Sequence, residues 1–454
     1  MSRVGAIRPA ALVLLAASGC DQPSGVGGPP DGGSVLLTGA AAEAEVSCPY
    51  APTLWIPGAA GSAASSAAPD WSLRFGDSSD DAANAVAAGA DGAPILLSNQ
   101  YGVVDFGTGP YALPTACWTM LSAFSPAGAL RWSRSVAIWS PNVVMGPDGG
   151  PILVMTNSSL ARLTPAGQVR WVWKSAAPID SQVGASADAL YTVLAGVWGN
   201  GAYPTTIKRL TLDGAPSWSF TYPATGWPAF DVSSTDEVVF ATEFTGTTVL
   251  GGQTFQSAGA TDFIVAKLGA DGKLRWARQF GSTGDDGSPS VSLGPDGSVV
   301  LLGYGGGALD FGSGPLAAGD ADVTYLARLD GEGNAVAGRA VSDTWFGWSL
   351  RQTPSGQIVM AGNFSSPVTI EGTAVHTGAM GDEDFLVVEA SPSFDVQKIL
   401  HFGNGGGNQQ LVGFAVDGLG GVLLAGRFQG KLDLGAGTLR SAGGQDVFLG
   451  RVQP

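Results

Sequence analysis

The sequence contains few of the residues on which most enzymes and nucleic-acid-binding proteins rely. Two histidines and three cysteines in 454 residues are too few for a zinc site. A Ser-His-Asp hydrolase needs a nucleophile turn of the form G-x-S-x-G, and the sequence has none. Lysine and arginine total 22 against 38 acidic residues and form no basic run, so the clustered positive charge that nucleic acids require is missing. We therefore identify no catalytic residue and expect no nucleic-acid partner.

Only one segment of the sequence suggests membrane targeting. Arg3 and Arg8 form a short basic region ahead of an apolar stretch at residues 10–17. Neither this stretch nor any other apolar run reaches the ~20 residues that span a bilayer. Residues 17–20 (Ala-Ser-Gly-Cys) follow directly and resemble the lipobox of bacterial lipoproteins. The resemblance implies a signal peptide over residues 1–19, lipidation of Cys20, and a cell-envelope protein attached to its membrane by lipid alone. An ordinary secretory signal is the alternative. We expect the outer membrane or cell surface in preference to the inner membrane.

Two cysteines remain once Cys20 carries lipid. Cys48 and Cys117 form an even pair in an oxidising compartment, which suggests a disulfide; two unpaired thiols are the alternative. Residues 20–69 are rich in Gly, Pro, Ala and Ser, apart from a denser island at 48–56. This composition predicts a lipidated cysteine followed by a tether that holds a globular domain away from the membrane.

One sequence motif recurs along the rest of the chain: a tight turn that ends in Gly, three further residues, and then Trp. Its clear copies run from Gly128 to Trp132, Gly167 to Trp171, Gly214 to Trp218 and Gly272 to Trp276, and degenerate copies end at Ala337 and Lys398. Together with Trp71, these positions divide residues 70–454 into seven units. Each unit contains short alternating strands separated by turns such as Asp296-Gly297, which we interpret as type I′ hairpins. Four antiparallel strands per unit predict an all-β, seven-bladed β-propeller.

The phase of the repeat predicts how the ring closes. The propeller region begins with a Trp strand at residues 71–75 and ends on a third strand at 446–451. The last blade therefore lacks its outer strand, and the first segment is a spare one. We expect the N-terminal strand (70–76) to pair with the last blade, which removes two exposed sheet edges.

The repeats resemble the SBBP family of bacterial β-propeller proteins. The shared elements are Trp276 to Phe280-Gly281, the turn Asp296-Gly297, Asp310-Phe311-Gly312 with Gly314, and Asp262-Phe263 to Leu268. The Gly-x-x-x-Trp element is also similar to PQQ-type propeller repeats. The resemblance implies the propeller fold and no particular activity, because propellers support many functions.

One face of the predicted propeller carries the longer connections, namely the second-to-third loops and the crossings between blades. Asp285 and Asp286 lie in one crossing, and Trp139, Trp227 and Trp345 precede first strands on the same face. Indole rings beside carboxylates suit a sugar-binding surface. The alternatives are tryptophans that fill gaps between blades and aspartates that cap their own turns. Ca²⁺ could also use such carboxylates, although no D-x-D-x-D-G loop is present; whether a metal binds stays open, and no other cofactor is predicted.

These observations favour a non-catalytic lipoprotein of the cell envelope, whose long-loop face binds a protein or a glycan. One alternative is a polysaccharide-active hydrolase or lyase that uses carboxylates of this face, because two carboxylates suffice for glycoside chemistry. A structural scaffold in an envelope assembly is a further alternative. We expect a monomer.

Overall fold

The computed structural model describes most of the chain from residue 34 onward. The described residues are 34–48, 53–58, 70–113, 118–136, 142–155, 158–175, 179–194, 203–226, 228–305, 309–312, 314–316, 323–342, 349–377, 382–403 and 407–453.

Seven antiparallel sheets form the blades of a β-propeller, as predicted. The strands of each blade, from the innermost outward, are Ala82–Ala88, Pro94–Asn99, Thr119–Phe124 and Leu130–Ser135 in blade 1; Asn142–Met145, Pro151–Met155, Ser159–Leu163 and Val169–Lys174 in blade 2; Ile179–Ala185, Ala189–Leu194, Tyr203–Thr211 and Pro216–Ala224 in blade 3; Ala229–Val232, Val238–Leu250, Gln253–Leu268 and Leu274–Phe280 in blade 4; Gly287–Leu293, Val299–Gly305, Val323–Leu329 and Ala335–Ser342 in blade 5; Ser349–Gln352, Ile358–Phe364, Asp384–Ala390 and Val396–Phe402 in blade 6; and Gln409–Val416, Val422–Phe428, Asp446–Val452 and Trp71–Phe75 in blade 7. First strands of neighbouring blades contact one another all round the ring, so they surround a central channel.

The ring is closed by the strand that the sequence assigned to this role. Trp71–Phe75 pairs antiparallel with Asp446–Val452, with Trp71 opposite Arg451 and Phe75 opposite Val447. The predicted fold class, including this closure, is confirmed. A strand from each end of the propeller region thus satisfies the backbone groups of the other.

Each tryptophan of the Gly-x-x-x-Trp motif packs on the next blade and donates a hydrogen bond to it. The indole of Trp276 packs on the turn of blade 5, where a Cβ on Gly333 would come within 2.6 Å of the ring. The Trp276 Nε1 donates a hydrogen bond of 2.9 Å to the carbonyl of Gly331 in that turn. Four further tryptophans donate in the same way across a blade junction: Trp71 to Pro126, Trp132 to Pro165, Trp171 to Leu212 and Trp218 to Ala270. The glycine and the tryptophan therefore recur together because the indole of one blade packs on the glycine turn of the next.

At the junction of blades 5 and 6, where the motif is degenerate, the large and the small residue have exchanged places. Blade 5 has Ala337 where other blades have Trp, and the facing turn of blade 6 has Phe394 where other turns have Gly. Phe394 adopts a φ of +72° and is 1% exposed, in a hydrophobic cluster against which Ala337 packs. The bulky side chain thus comes from the turn instead of from the preceding strand.

The hairpin turns lie where the sequence placed them, but their type differs from the expectation. In blade 5 the Gly297 N–H donates to the Gly294 carbonyl at 3.0 Å, and Gly297 has a φ of +78° while Asp296 does not have a positive φ. This is a type I turn followed by a left-handed glycine, and the type I′ assignment was wrong. The aspartate is favoured because its Oδ1 accepts the Ser298 N–H at 3.1 Å.

The Phe-Gly step at the end of an outer strand makes room for a buried carboxylate. In blade 4 a Cβ on Gly281 would come within 2.4 Å of both carboxylate oxygens of Asp262, the residue that precedes the core of the third strand. The Gln279 Nε2 donates to Asp262 Oδ2 at 2.7 Å. The equivalent pairs are Arg74 with Asp446 in blade 7 and His401 with Asp384 at 2.9 Å in blade 6. His401 therefore occupies a repeated structural position, as its place in the sequence indicated.

Second-to-third connections of the form D-F-G-x-G fold as small hairpins wedged between blades. In blade 1 the strands Val103–Asp105 and Pro110–Ala112 flank a turn in which Asp105 Oδ1 accepts the N–H groups of Gly107 and Gly109 at 2.7 and 3.0 Å. The Phe106 ring lies 4.9 Å from that of Phe75 on blade 7. Similar small hairpins occupy Val368–Ile370 with Thr373–Val375 and Lys431–Asp433 with Thr438–Arg440.

Residues ahead of the propeller run along its outer rim. The strand Val35–Thr38 adds a fifth strand to blade 2, and Trp55–Pro57 adds a fifth strand to blade 1. The helix Gly39–Val46 connects them in sequence. The chain therefore passes blades 2, 1 and 7 in turn and supplies the outermost strand of each.

This N-terminal strap, residues 34–48 and 53–58, is packed as well as paired. Ala42, Val46 and Ile56 are fully buried, and the Glu43 carboxylate lies 2.6 Å from the guanidinium of Arg134, which is itself buried. Trp55 stacks on Trp132 with ring centroids 5.7 Å apart. Of the tether expected over residues 20–69, residues 34–48 pack on the propeller instead, because they complete the outer edge of blade 2. Residues 53–58 belong largely to the denser island at 48–56 that the composition set apart from the tether.

Candidate functional site

One position in the second strand carries a polar residue in five blades, and the type of that residue varies among them. The residues that interrupt an otherwise buried apolar strand there are Asn99, Glu243, Tyr304, Asn363 and Arg427. All five are half-buried. Four of them lie within one residue of the end of the strand that leads into the second-to-third connection, and Glu243 has the equivalent place in the longer strand of blade 4. They therefore surround the mouth of the channel on the long-loop face. A position that differs among copies while its neighbours stay apolar is where a repeat protein differentiates its surface.

A cleft of about 480 Å³ opens at this mouth where blades 7 and 1 meet. We call it the closure cleft. Its lining residues are Ser79, Asp80, Asp81, Ala82, Asn99, Tyr101, Arg427 and Gln445. Tyr101 is 40% exposed, and its ring stacks on Trp118 with centroids 5.4 Å apart, so an aromatic residue is presented to solvent on a fixed support.

Polar side chains of the closure cleft are held by their neighbours. Asn99 Oδ1 accepts the Asn84 Nδ2 at 3.0 Å and the Thr119 hydroxyl at 2.9 Å. The Arg427 Nε donates to Gln410 Oε1 at 2.5 Å. These hydrogen bonds fix the side chains of Asn99 and Arg427, so their remaining N–H donors have a defined orientation in the cleft. A ligand that binds to them therefore costs little further loss of rotamer freedom.

Asp81 forms the floor of this cleft and is fully buried. Its carboxylate accepts the Tyr101 N–H at 2.7 Å and the Asp77 N–H at 3.2 Å, and its own N–H donates to the Gln445 carbonyl at 2.7 Å. Burial raises the pKa of Asp81 to about 6, although both N–H groups act in the opposite direction. The residue thus secures the crossing between the last and first blades.

Asp286 is the same element at the junction of blades 4 and 5. It is fully buried, its carboxylate accepts the Ser282 N–H and hydroxyl at 2.5 and 2.7 Å, and its own N–H donates to the Thr261 carbonyl at 2.8 Å. Asp285, next to it, is exposed. Of the two predicted ligand-face carboxylates, only Asp285 projects from the crossing, and Asp286 is engaged in it.

Glu243 and Tyr304 lie close to Asp285 at that junction. The Tyr304 hydroxyl is 3.4 Å from Glu243 Oε1. Burial is the main reason why the pKa of Glu243 is raised to about 6, and the negative charge of Asp285 acts in the same direction. Burial and the same two carboxylates raise the pKa of Tyr304 as well. A carboxyl group that changes its charge near pH 6 therefore lies at the junction of blades 4 and 5.

The channel itself is polar below its mouth. A cavity of about 490 Å³ is lined by first strands and includes Asn84, Asn142 and Arg351. The Arg351 Nη1 donates to the Leu350 carbonyl at 2.7 Å, and its charge also acts on Asp231, whose pKa is raised by burial. Asp231 Oδ2 accepts the Leu293 N–H at 2.7 Å, which ties blade 4 to blade 5 inside the channel.

Several predicted site residues lie outside the described residues. These are Cys20, Cys117, Trp139, Trp227 and Trp345, so lipidation and the tryptophan face stay predictions. Cys48 is disulfide-bonded, and its pairing with Cys117 stays a prediction. Within the described part of the chain, no group of three or more His, Cys, Asp and Glu side chains is arranged to hold a metal ion. No described helix is both long enough and apolar enough to cross a membrane.

Comparison with known proteins gives only distant similarities. No protein-family model matches the chain, and no curated protein does. Among solved structures, BamB from Moraxella catarrhalis is 12% identical, with 84% of this chain and 98% of that chain covered and a TM-score of 0.39. Cobalt-substituted Synechocystis apocarotenoid oxygenase is 11% identical over 85% and 93%, with a TM-score of 0.43. Pseudomonas brassicacearum lignostilbene dioxygenase is 13% identical over 79% and 89%, also with a TM-score of 0.43. At this level the similarities carry no argument about what this chain binds or catalyses.

Proposed function

We propose that this protein is a lipid-anchored component of the bacterial cell envelope that binds a glycan or a protein partner through the long-loop face of its propeller, without catalysis. The observation that supports the proposal most is the divergence of one repeated position, which is asparagine in two blades and glutamate, tyrosine and arginine in three others, around a single channel mouth. The tight turns on the opposite face carry repeated Gly and Asp residues that complete their own hydrogen bonds, so they offer little that is specific to a ligand.

The anchor rests on residues 17–20 and is tested separately from binding. Cells that express the full chain are labelled with a radioactive fatty acid, and the label is followed in the purified protein. We expect incorporation in the unaltered chain and none in Cys20→Ser. Equal labelling of both chains, or labelling of neither, would contradict the lipoprotein assignment.

Binding is tested with the full mature chain purified in detergent. It is applied to an array of envelope and plant glycans and, in parallel, used for crosslinking and pull-down from native envelopes. Retention of a glycan or a defined protein by the unaltered chain supports the proposal, and loss of that retention in variants of the mouth assigns it to the long-loop face. Retention that is unaffected by Arg427→Ala, Tyr304→Ala and Glu243→Ala would place the function elsewhere on the molecule.

A second candidate function is favoured by Glu243. A half-buried carboxyl group whose pKa is raised to about 6, beside an exposed carboxylate, is the combination that a glycoside hydrolase uses as general acid and partner. If the protein is an enzyme, soluble sugars are released from one of the polysaccharides, and both Glu243→Gln and Asp285→Asn abolish that release. Binding without release by the unaltered chain would exclude this candidate.

A further inference from the structure

We infer that the closure cleft binds a single neutral hexopyranose unit of a glycan, and that its occupancy holds the first and last blades together. This inference rests on the glycan branch of the proposed function. Sugar recognition requires a flat apolar surface beneath the ring and planar polar groups around its edge. The closure cleft offers the Tyr101 ring as the surface and the side chains of Asp80, Asn99, Arg427 and Gln445 around it.

The polar groups of the cleft retain hydrogen-bonding capacity for a ligand. Asp80 Oδ1 accepts the Gln445 N–H at 2.9 Å, while Oδ2 has no partner among the described residues. The terminal nitrogens of Arg427 and the Nδ2 of Asn99 likewise donate to no described acceptor. The cleft therefore offers one acceptor, the free carboxylate oxygen, and donors from a guanidinium and an amide. Two adjacent hydroxyl groups of a sugar match this set, because each hydroxyl can donate to one group and accept from another.

The charges around the cleft favour a neutral sugar over a charged one. Arg427 is the cation among the lining residues, and it lies near Glu383, a half-buried carboxyl group joined to it through Gln410. Asp80 supplies negative charge at the wall of the cleft and Asp81 at its floor. An acidic sugar would meet these carboxylates at short range, whereas the hydroxyl groups of a neutral sugar can bond to groups of either sign. The volume of about 480 Å³ is within the range of ligand sites and suits one sugar ring with its bound water.

The cleft exists only when the ring is closed. Asp80, Asn99 and Tyr101 come from the crossing into blade 1 and from blade 1 itself, whereas Arg427 and Gln445 come from blade 7. A sugar that contacts both sets binds the closed ring and not a ring opened between these blades. By mass action it must then stabilise the closed form. Ligand binding and the pairing of Trp71–Phe75 with Asp446–Val452 are therefore linked.

The test uses the full mature chain in detergent with neutral oligosaccharides, chosen by a screen of glucose-, galactose- and mannose-containing polymers at millimolar concentration. Saturation-transfer NMR reports binding, and amide hydrogen exchange reports protection of residues 71–75 and 446–452. We expect saturation transfer to one oligosaccharide class and slower exchange in both closing strands. Arg427→Met and Tyr101→Ala should each weaken that binding by about tenfold or more, which corresponds to loss of one directed contact.

Trp55→Ala on the outer rim of blade 1 is the matched control. Trp55 is 44% exposed and stacks on Trp132, much as Tyr101 stacks on Trp118, but it does not line the cleft, so its loss should leave oligosaccharide binding unchanged. Tyr101→Phe keeps the stacking surface and should retain most of the affinity, which separates a lost platform from a misfolded cleft.

The outcomes distinguish this inference from the proposed function. If a glycan binds but Arg427→Met and Tyr101→Ala have no effect, the cleft is not the site, while the proposed function stands. If only charged glycans bind, or if the envelope pull-down yields a protein partner and no neutral glycan binds, the inference is likewise overturned and the proposed function stands. If the unaltered chain retains neither glycan nor protein, both are overturned. Binding without added protection of the closing strands would overturn the linkage.

Discussion

Arg74 and Asp446 form an ion pair across the seam of the ring, although 372 positions separate them in the chain. Asp446 is fully buried, while the side chain of Arg74 is 33% exposed. The same place is taken by Gln279 with Asp262 in blade 4 and by His401 with Asp384 in blade 6. The pair is therefore a repeated element of the blades, and at the seam it joins the two ends of the propeller.

Loss of the Arg74 side chain should destabilise the protein because it leaves the Asp446 carboxylate buried without its cation. For Arg74→Ala we expect the free energy of unfolding to fall by about 2–3 kcal/mol, somewhat less than for a fully buried pair. Arg74→Gln should cost less than half of that, since glutamine fills this place in blade 4. Urea unfolding followed by tryptophan fluorescence measures both. Equal losses for the two variants would show that the hydrogen bond to Asp446 is not what matters.

The exchange of sizes between Ala337 and Phe394 can be reversed by mutation. Phe394→Gly alone should lower stability by about 3 kcal/mol, because it leaves a cavity, even though it relieves the positive φ of a phenylalanine. Ala337→Trp alone should also destabilise, by about 1–3 kcal/mol, because Phe394 occupies the space. The double variant restores the arrangement of the other blades and should be more stable than the sum of the two losses implies, by at least about 1 kcal/mol. Additive losses in a double-mutant cycle would refute the shared space.

Glu243 should make stability depend on pH in a defined direction. Its pKa rises from 4.5 to about 6 in the folded protein, so between these values the native state binds more protons than the unfolded state. Stability from this group is complete below pH 4.5 and falls as the pH rises through 6, by about 2 kcal/mol in total.

Glu243→Gln isolates this contribution, because Asp81 also has a raised pKa and stays in the variant. The difference in unfolding free energy between the unaltered chain and Glu243→Gln, measured from pH 4 to pH 8, should change by about 2 kcal/mol across the window. Asp285→Asn should narrow that change, since it removes a nearby negative charge. A difference that is constant with pH would mean that Glu243 keeps its ordinary pKa.

Removal of the N-terminal strap should weaken the propeller without opening it. A chain that begins at residue 59 loses the buried side chains of Val46 and Ile56, each of which contributes roughly 1–3 kcal/mol, but keeps the closing strand. A chain that begins at residue 77 loses the closing strand too, and we expect it to aggregate through the exposed edge of Asp446–Val452. Size-exclusion chromatography and thermal unfolding distinguish the two chains, with Cys48→Ser in the full chain as the control for the lost disulfide. A soluble and equally stable chain from residue 77 would contradict the role of the closure.

The predicted tryptophan face is tested by comparison with a tryptophan of known packing. Trp227→Ala and Trp345→Ala should weaken partner binding while the melting temperature stays within a few degrees. Trp276→Ala should lower the melting temperature strongly, because it removes an indole that packs on the next blade and donates to Gly331. A comparable fall for Trp227→Ala would assign that residue to the core.

The sequence predicts the propeller because its fold depends on local features that repeat. Gly and Trp recur at fixed spacing since each pair forms one contact between blades, and the Trp strand at 71–75 stands out as a spare because every other unit has its own. The strap was missed for the opposite reason. Residues 34–48 form no repeat and contain few large apolar side chains, and only the edges of blades 1 and 2 give them partners.

The candidate site was harder to predict than the fold. Asp285 and Asp286 are adjacent in a crossing, and the sequence alone does not show that one is exposed while the other accepts hydrogen bonds from Ser282. Glu243 and Arg427 carried a usable signal, since each interrupts an apolar strand at the same place in its repeat. The residues that contact Glu243 and Arg427 from neighbouring blades, by contrast, come together only when the whole ring closes, so the sequence alone does not identify them.

The seam also sets the order in which the molecule can be completed. Trp71–Phe75 leaves the ribosome early, yet its partner Asp446–Val452 is made some 370 residues later. Until then this strand has no native neighbour to pair with, and contacts so distant in sequence form slowly. Blades 2 to 6 can assemble from neighbouring segments as they emerge, whereas the junction of blades 7 and 1 must come last. Chaperones that bind nascent chains would therefore find their longest-lived target in this first strand of the propeller.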